Sequence, residues 1–126
     1  MLRFVFLLAF LCHNPIGSKR LIMQKGKLMR KENYPLVSIV LTTYKGTDCV
    51  RRCLESAYNQ EYPNIEIIIV DDNGKGTDDQ ENTFKAISDF LFHKNIIYIA
   101  HEKNSNGSVS RNTGIKKASG EYVAFL

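Results

Sequence analysis

From Leu36 onward two hydrophobic rhythms alternate along the chain, and their order predicts its architecture. Residues 36–42 are a short, partly β-branched apolar run behind Pro35, the pattern of a buried strand. Residues 44–48 read as a turn, with Thr47 or Asp48 placed to cap a helix. From Asp48 to about Gln60, the residues Val50, Cys53, Leu54, Ala57 and Tyr58 recur at helical spacing on one face. Pro63 breaks that face. Residues 65–70, Ile-Glu-Ile-Ile-Ile-Val, are the strongest strand signal, and so continuous a run predicts cover on both sides, as in parallel sheets. A polar turn over 71–77 follows, and Asp78 or Asp79 begins a helix carrying Phe84, Ile87 and Leu91 on one face and ending near His93 and Lys94. Residues 96–100 form a third strand and 101–108 a loop. A short helix then runs through Arg111, Ile115 and Ala118, stops at Gly120, and leads to a fourth strand over 121–126.

The order is β-α-β-α-β-α-β, with crossovers long enough only for parallel connections, which are right-handed almost without exception. This predicts an α/β fold of the nucleotide-binding kind, whose ligand sits outside the carboxyl ends of the strands. The polar residues at those ends are Thr42 to Tyr44, Asp71 to Asn73 and His101 to Asn106. The chain of 126 residues has room for one domain, divided here into an N-terminal extension over 1–34 and an α/β body over 35–126.

Charge separates the same two parts. The net charge of +4 hides seven basic residues against Glu32 alone in 1–34, and ten basic against twelve acidic residues in the body. A slightly negative body lacks the phosphate-neutralising footprint of a nucleic-acid-binding protein, so no nucleic-acid partner is expected. In the extension, Arg3 precedes an apolar run over 4–12 with the outline of a signal-peptide core, too short to span a bilayer. The basic stretch over 19–31 would suit peripheral contact of residues 1–31 with anionic lipid. The third reading is an upstream extension ahead of a start at Met23 or Met29. Three cysteines make no disulfide framework, and Cys49 and Cys53 are expected to pack a helix. Reduced thiols suit a cytoplasmic protein, with the inner face of a membrane as the variant of that location.

Asp71 and Asp72, adjacent at the end of the strongest strand, are the most conspicuous chemistry, because two mutually repelling carboxylates at a crevice point to function. An ionised carboxylate only accepts hydrogen bonds. It can therefore pair with a base that presents a ring N–H, such as uracil or guanine, and not with the bare ring nitrogen of cytosine. The run Gly74-Lys75-Gly76-Thr77 lacks the phosphate-loop spacing, and no G-x-G-x-x-G follows the first strand. Asn106-Gly107-Ser108 matches a glycosylation sequon, a frequent chance occurrence. The histidines show no metal-ligand spacing, and surface or turn roles are their default, although His101 lies at a strand's carboxyl end.

Several ordered blocks together resemble the family 2 glycosyltransferases: residues 37–44 (Val-Ser-Ile-Val-Leu-Thr-Thr-Tyr), 53–56, 60–72 (ending Ile-Val-Asp-Asp), Asn104, Gly107, 110–115 (Ser-Arg-Asn-Thr-Gly-Ile) and 118–126. The resemblance covers about residues 36–126. It implies a GT-A fold, a nucleotide-sugar donor that is most often UDP-linked, and a divalent metal (Mg or Mn) on an acidic cluster. Thr42 and Tyr44 would line the base and ribose pocket, Asp72 would accept the base N–H, and Arg111 would steady the donor side of the crevice. The metal ligands and the catalytic base are expected beyond Leu126, which would make this an incomplete donor-binding half, inactive by itself. The acceptor would be a glycan, lipid or polysaccharide. The alternative is a non-catalytic nucleotide-binding or interaction module derived from such an enzyme. Two departures stand out: Lys45 where the family more often has Asn, and Asn73-Gly-Lys-Gly-Thr77 where it has a shorter Gly-Ser turn.

Overall fold

The structure, a computed structural model, describes residues 34–126 and the backbone of residues 3–4. Five strands form one wholly parallel sheet: β1 (Arg3–Phe4), β2 (Val37–Thr43), β3 (Ile65–Asp71), β4 (Ile96–Ala100) and β5 (Tyr122–Phe125), in the spatial order β1-β5-β2-β3-β4. The helices are α1 (Thr47–Tyr58), α2 (Asp78–Ile87) with a 3-10 turn at Ser88–Phe90, and α3 (Gly107–Lys117). The four strands expected from the pattern are present and parallel. The strand β1 was not expected, since two residues carry no periodicity. It pairs Arg3 with Tyr122 and Phe4 with Val123 along the side of β5 that β2 leaves open. The other expectations for residues 1–33 lie outside the described residues.

β3 is the centre of the sheet, and its side chains alternate between two cores. Ile67 and Ile69 meet Val50, Leu54 and Ala57 of α1 and Ile87 of α2 on one face. Ile68 and Val70 meet Val40 and Val123 beneath α3 on the other. The helix α3 lies close to the sheet because its inward positions are small. Ser110 and Gly114 are buried, and a β-carbon on Gly114 would stand 2.3 Å from Val40 Cγ1.

Local differences from the sequence reading have physical causes. α1 is capped by Gly46, not by Thr47 or Asp48; Thr47 is its first residue, and its hydroxyl stands 3.4 Å from Thr83 Oγ1. α2 stops at Ile87, and Phe84 is 44% exposed, edge-on to Tyr98. The core-facing place is taken by Thr83, whose hydroxyl accepts from Asn73 Nδ2 at 3.3 Å. Cys53 packs on the core, whereas Cys49 is exposed.

Glu66 is a buried carboxylate near the start of β3, 8% exposed on the α3 side of the strand. Its Oε1 accepts from Ser38 Oγ (2.5 Å) and from the Ser119 N–H (2.7 Å), and its Oε2 accepts from Ser119 Oγ (2.8 Å). Ser38 Oγ in turn accepts the Gly120 N–H at 2.8 Å. A β-carbon on Gly120 would stand 2.5 Å from that same oxygen. The cluster ties β3, β2 and the connection into β5 to one another. Burial by itself pushes the Glu66 carboxyl up, but the hydrogen bonds from Ser38, Ser119 and Gly120 outweigh it and hold the group below the usual carboxylate range.

At the other end of α3, Asn106 caps the helix at φ 76°, ψ 163°, backbone space that is almost exclusively glycine's. Its Oδ1 accepts from the Ser108 and Val109 N–H groups at 3.1 and 3.2 Å.

Two stability predictions follow from these contacts. Because the folded pKa of Glu66 is depressed, its contribution is complete above the unfolded carboxylate range and disappears as pH falls through the folded value. Glu66→Gln should cost about 1.5–3 kcal/mol at pH 7 and show a flatter loss of stability toward acid. Urea unfolding at pH 7 and pH 4 measures both, and equal stability of the two proteins at pH 7 contradicts the assignment. Asn106→Gly should raise stability by about 1 kcal/mol, since relief of roughly 1–3 kcal/mol of backbone strain exceeds the few tenths lost with the cap. Asn106→Ala, which keeps the strain and loses the cap, should lower it in the same assay.

Candidate functional site

The carboxyl ends of β2, β3 and β4 and the amino end of α3 converge. The chain leaves β2 toward β3 on one side and returns from β4 to β5 on the other, so the switch point of the sheet lies beside β2. Crevices in parallel α/β sheets form at such points. Here there is a cavity of about 240 Å³ between Thr42, Thr43 and Tyr44 at the end of β2, Asp72 after β3, and Asn104, Asn106, Gly107 and Ser110 before and at the start of α3.

The two adjacent aspartates do not share this cavity. Strand alternation sends them to opposite faces of the sheet, so only Asp72 stands at the crevice where the sequence suggests both carboxylates. Asp71 is wholly buried; its Oδ1 accepts the Asn73 N–H (2.9 Å) and its Oδ2 the Tyr98 hydroxyl (2.7 Å). Tyr98 accepts from Gln80 at 3.0 Å, and its phenol is raised well above its ordinary pKa, by burial first and by Asp71 as well. Asp71 therefore orders the turn over 71–77. A larger depression of about 480 Å³ beside Lys75, Phe84 and Tyr98 lies on that face, away from Asp72.

Asp72 is 3% exposed, and its donors all come from the segment after β4. Oδ1 meets His101 Nδ1 at 2.7 Å and the Ser105 N–H at 2.9 Å, and Oδ2 accepts from Asn104 Nδ2 at 3.1 Å. A carboxylate offers about four acceptor directions. Three are filled by the chain, and the direction left over belongs to Oδ2.

Tyr44 is 53% exposed, an aromatic face at the cavity's edge. Lys45 follows in left-handed backbone (φ 52°), its N–H donating to Asn73 Oδ1 at 2.6 Å and its Nζ 5.4 Å from the Tyr44 ring centroid. Both departures from the family pattern thus meet at this turn.

Thr42, Tyr44 and Asp72 come together as expected neighbours. Arg111 does not join the cavity lining; it is exposed one turn into α3, with Nη1 3.9 Å from where a Gly107 β-carbon would lie. The sequence alone places Asn106 only within the polar run after the third predicted strand, gives Ser110 no site role, and leaves His101 to a surface or turn role. The His101 side chain is 13% exposed, with Nε2 2.9 Å from Thr113 Oγ1. Its position directly after a strand was the available signal.

Among the described residues, no three His, Cys, Asp or Glu side chains gather to hold a metal ion. The divergence of Asp71 and Asp72 explains why this pair does not fit a divalent cation. No helix among the described residues is long and apolar enough to cross a membrane.

Comparison with known proteins agrees with this layout. The family described as glycosyl transferase family 2 matches residues 38–126. The UDP-Glc:alpha-D-GlcNAc-diphosphoundecaprenol beta-1,3-glucosyltransferase WfaP of Escherichia coli is 40% identical over 91 residues, 72% of this chain and 34% of that protein. The putative teichuronic acid biosynthesis glycosyltransferase TuaG of Bacillus subtilis is 36% identical over 93 residues, 73% of this chain and 35% of that protein. The chain therefore spans about a third of the length of these two relatives. The structure of S. aureus TarS 1-349 in complex with UDP superposes with a TM-score of 0.61 at 27% identity, covering 71% of this chain and 26% of that one. A parallel sheet that gathers Thr42, Tyr44 and Asp72 at its switch point, in a sequence matched from residue 38 to its end, places this chain in glycosyl transferase family 2.

Proposed function

We propose that the cavity binds the nucleoside part of a nucleotide-sugar, with UDP as the carrier, for transfer of the sugar to a glycan, lipid or polysaccharide acceptor. The observation that carries the reading is the single open acceptor direction on Asp72 Oδ2, on a carboxylate otherwise saturated by the chain and lining the cavity. One acceptor direction matches one ring N–H. Uracil presents such a group, and cytosine presents a bare nitrogen that the carboxylate repels. The exposed Tyr44 ring is an apolar surface on which a base can stack. The UDP in the TarS structure and the UDP-glucose in the name of WfaP support uracil over guanine.

These residues bind and orient the donor. Thr42 and Tyr44 bound the base and ribose, Asp72 reads the base edge, and contacts from His101, Asn104 and Ser105 hold Asp72 in place. Arg111, exposed one turn along α3, is free to swing toward the donor phosphates. A divalent cation, where a transferase of this kind holds one, neutralises the diphosphate leaving group. The described residues do not supply its ligands, and the chemistry assigned to them is recognition.

Calorimetry with UDP and CDP tests the reading. Asp72→Asn keeps the shape and one acceptor oxygen but loses the charge, so UDP should bind about ten- to a hundredfold more weakly. CDP should bind poorly to the wild-type chain. Asp71→Asn, on the opposite face, should change UDP affinity less. Equal UDP affinity for wild type and Asp72→Asn removes Asp72 from the base pocket.

A further inference from the structure

His101 is held at both ring nitrogens, Nδ1 by Asp72 Oδ1 at 2.7 Å and Nε2 by Thr113 Oγ1 at 2.9 Å. The two ends of this bridge lie on different elements, the turn after β3 and the second turn of α3. The His101 and Asp72 side chains are only 13% and 4% exposed. A carboxylate has no proton to give, so the Nδ1 must carry the N–H that joins them. The rotation of an Asp carboxylate is broad and roughly two-fold, which means that its donors alone decide where each oxygen points. On Oδ1 those donors are His101 and the Ser105 backbone; on Oδ2 the donor is Asn104.

We infer that His101 is a positioning residue for base selection. By occupying Oδ1 it fixes the rotation of the Asp72 carboxylate, turns the one open direction of Oδ2 toward the cavity, and locks that orientation to α3 through Thr113. The inference rests on the nucleoside reading of the cavity. The preference for a base with a ring N–H then depends on a side chain that does not touch the base.

The test is calorimetry of UDP and CDP with the 126-residue chain and its His101→Asn, His101→Gln and His101→Leu variants, with folding of each checked by circular dichroism. Asn places an amide N–H near the Nδ1 position and keeps the donor to Asp72. Gln reaches toward Thr113 and leaves that donor missing. Leu and Gln should weaken UDP about tenfold and shrink the preference for UDP over CDP, whereas Asn should stay close to wild type. A residue that only fills space would make Asn and Gln equally harmful and leave the UDP-to-CDP ratio unchanged; that result overturns the inference, as does wild-type binding by Leu and Gln. If Leu does not fold, the comparison of Asn with Gln decides by itself. Unchanged UDP binding by Asp72→Asn would instead remove the nucleoside reading and this inference with it. Weakened binding by Asp72→Asn beside wild-type binding by Leu and Gln defeats only the role of His101.

Discussion

A strand buried on both faces cannot carry a carboxylate without hydrogen-bond donors, and β3 and its continuation carry three: Glu66, Asp71 and Asp72. Much of the remaining architecture supplies those donors. Glu66 collects Ser38 and Ser119 and so fixes how the chain enters β5. Asp71 collects Asn73 and Tyr98 and closes the turn after β3 against β4. Asp72 collects His101, Asn104 and Ser105 and wraps the segment after β4 over the crevice. Among the described residues, no buried polar side-chain atom lacks a partner.

The same alternation that separates two hydrophobic cores therefore separates two jobs for adjacent aspartates. Asp71, facing α1 and α2, is consumed by structure. Asp72, facing α3, keeps one acceptor direction at a cavity. The site is thus built by subtraction: what the fold leaves unsatisfied on Asp72 is what a ligand can use. Strain enters at the same place, since Asn106 and Lys45 both adopt positive φ beside the cavity. Such strain is compatible with a site whose loops are held by hydrogen bonds and not by a hydrophobic core.

The strands were legible because β3 and β2 are nearly continuous apolar runs, and α1 because Val50, Leu54 and Ala57 keep strict helical spacing. Thr42, Tyr44 and Asp72 could be named as neighbours because polar residues ending parallel strands meet at one edge of the sheet. α3 was harder to read, since it buries Ser110 and Gly114, which no hydropathy pattern marks as core. Phe84 misled for the opposite reason: an aromatic at helical spacing, it lies half exposed while Thr83 takes the buried position through hydrogen bonds. The parting of Asp71 and Asp72 was implicit in the period of a strand. The bridge from His101 to Thr113 was not, because it joins residues from two elements whose approach only the packing of α3 determines.

The central claim, that ligand binds on the Asp72 side of the sheet, is tested most directly by amide hydrogen exchange with and without UDP. UDP should slow exchange at Tyr44 and Lys45 and across Asn104 to Gly107, and leave the amides of residues 75–84 and 98 unchanged. Protection confined to the face of Lys75, Phe84 and Tyr98, with none at Asn104 to Gly107, would contradict it.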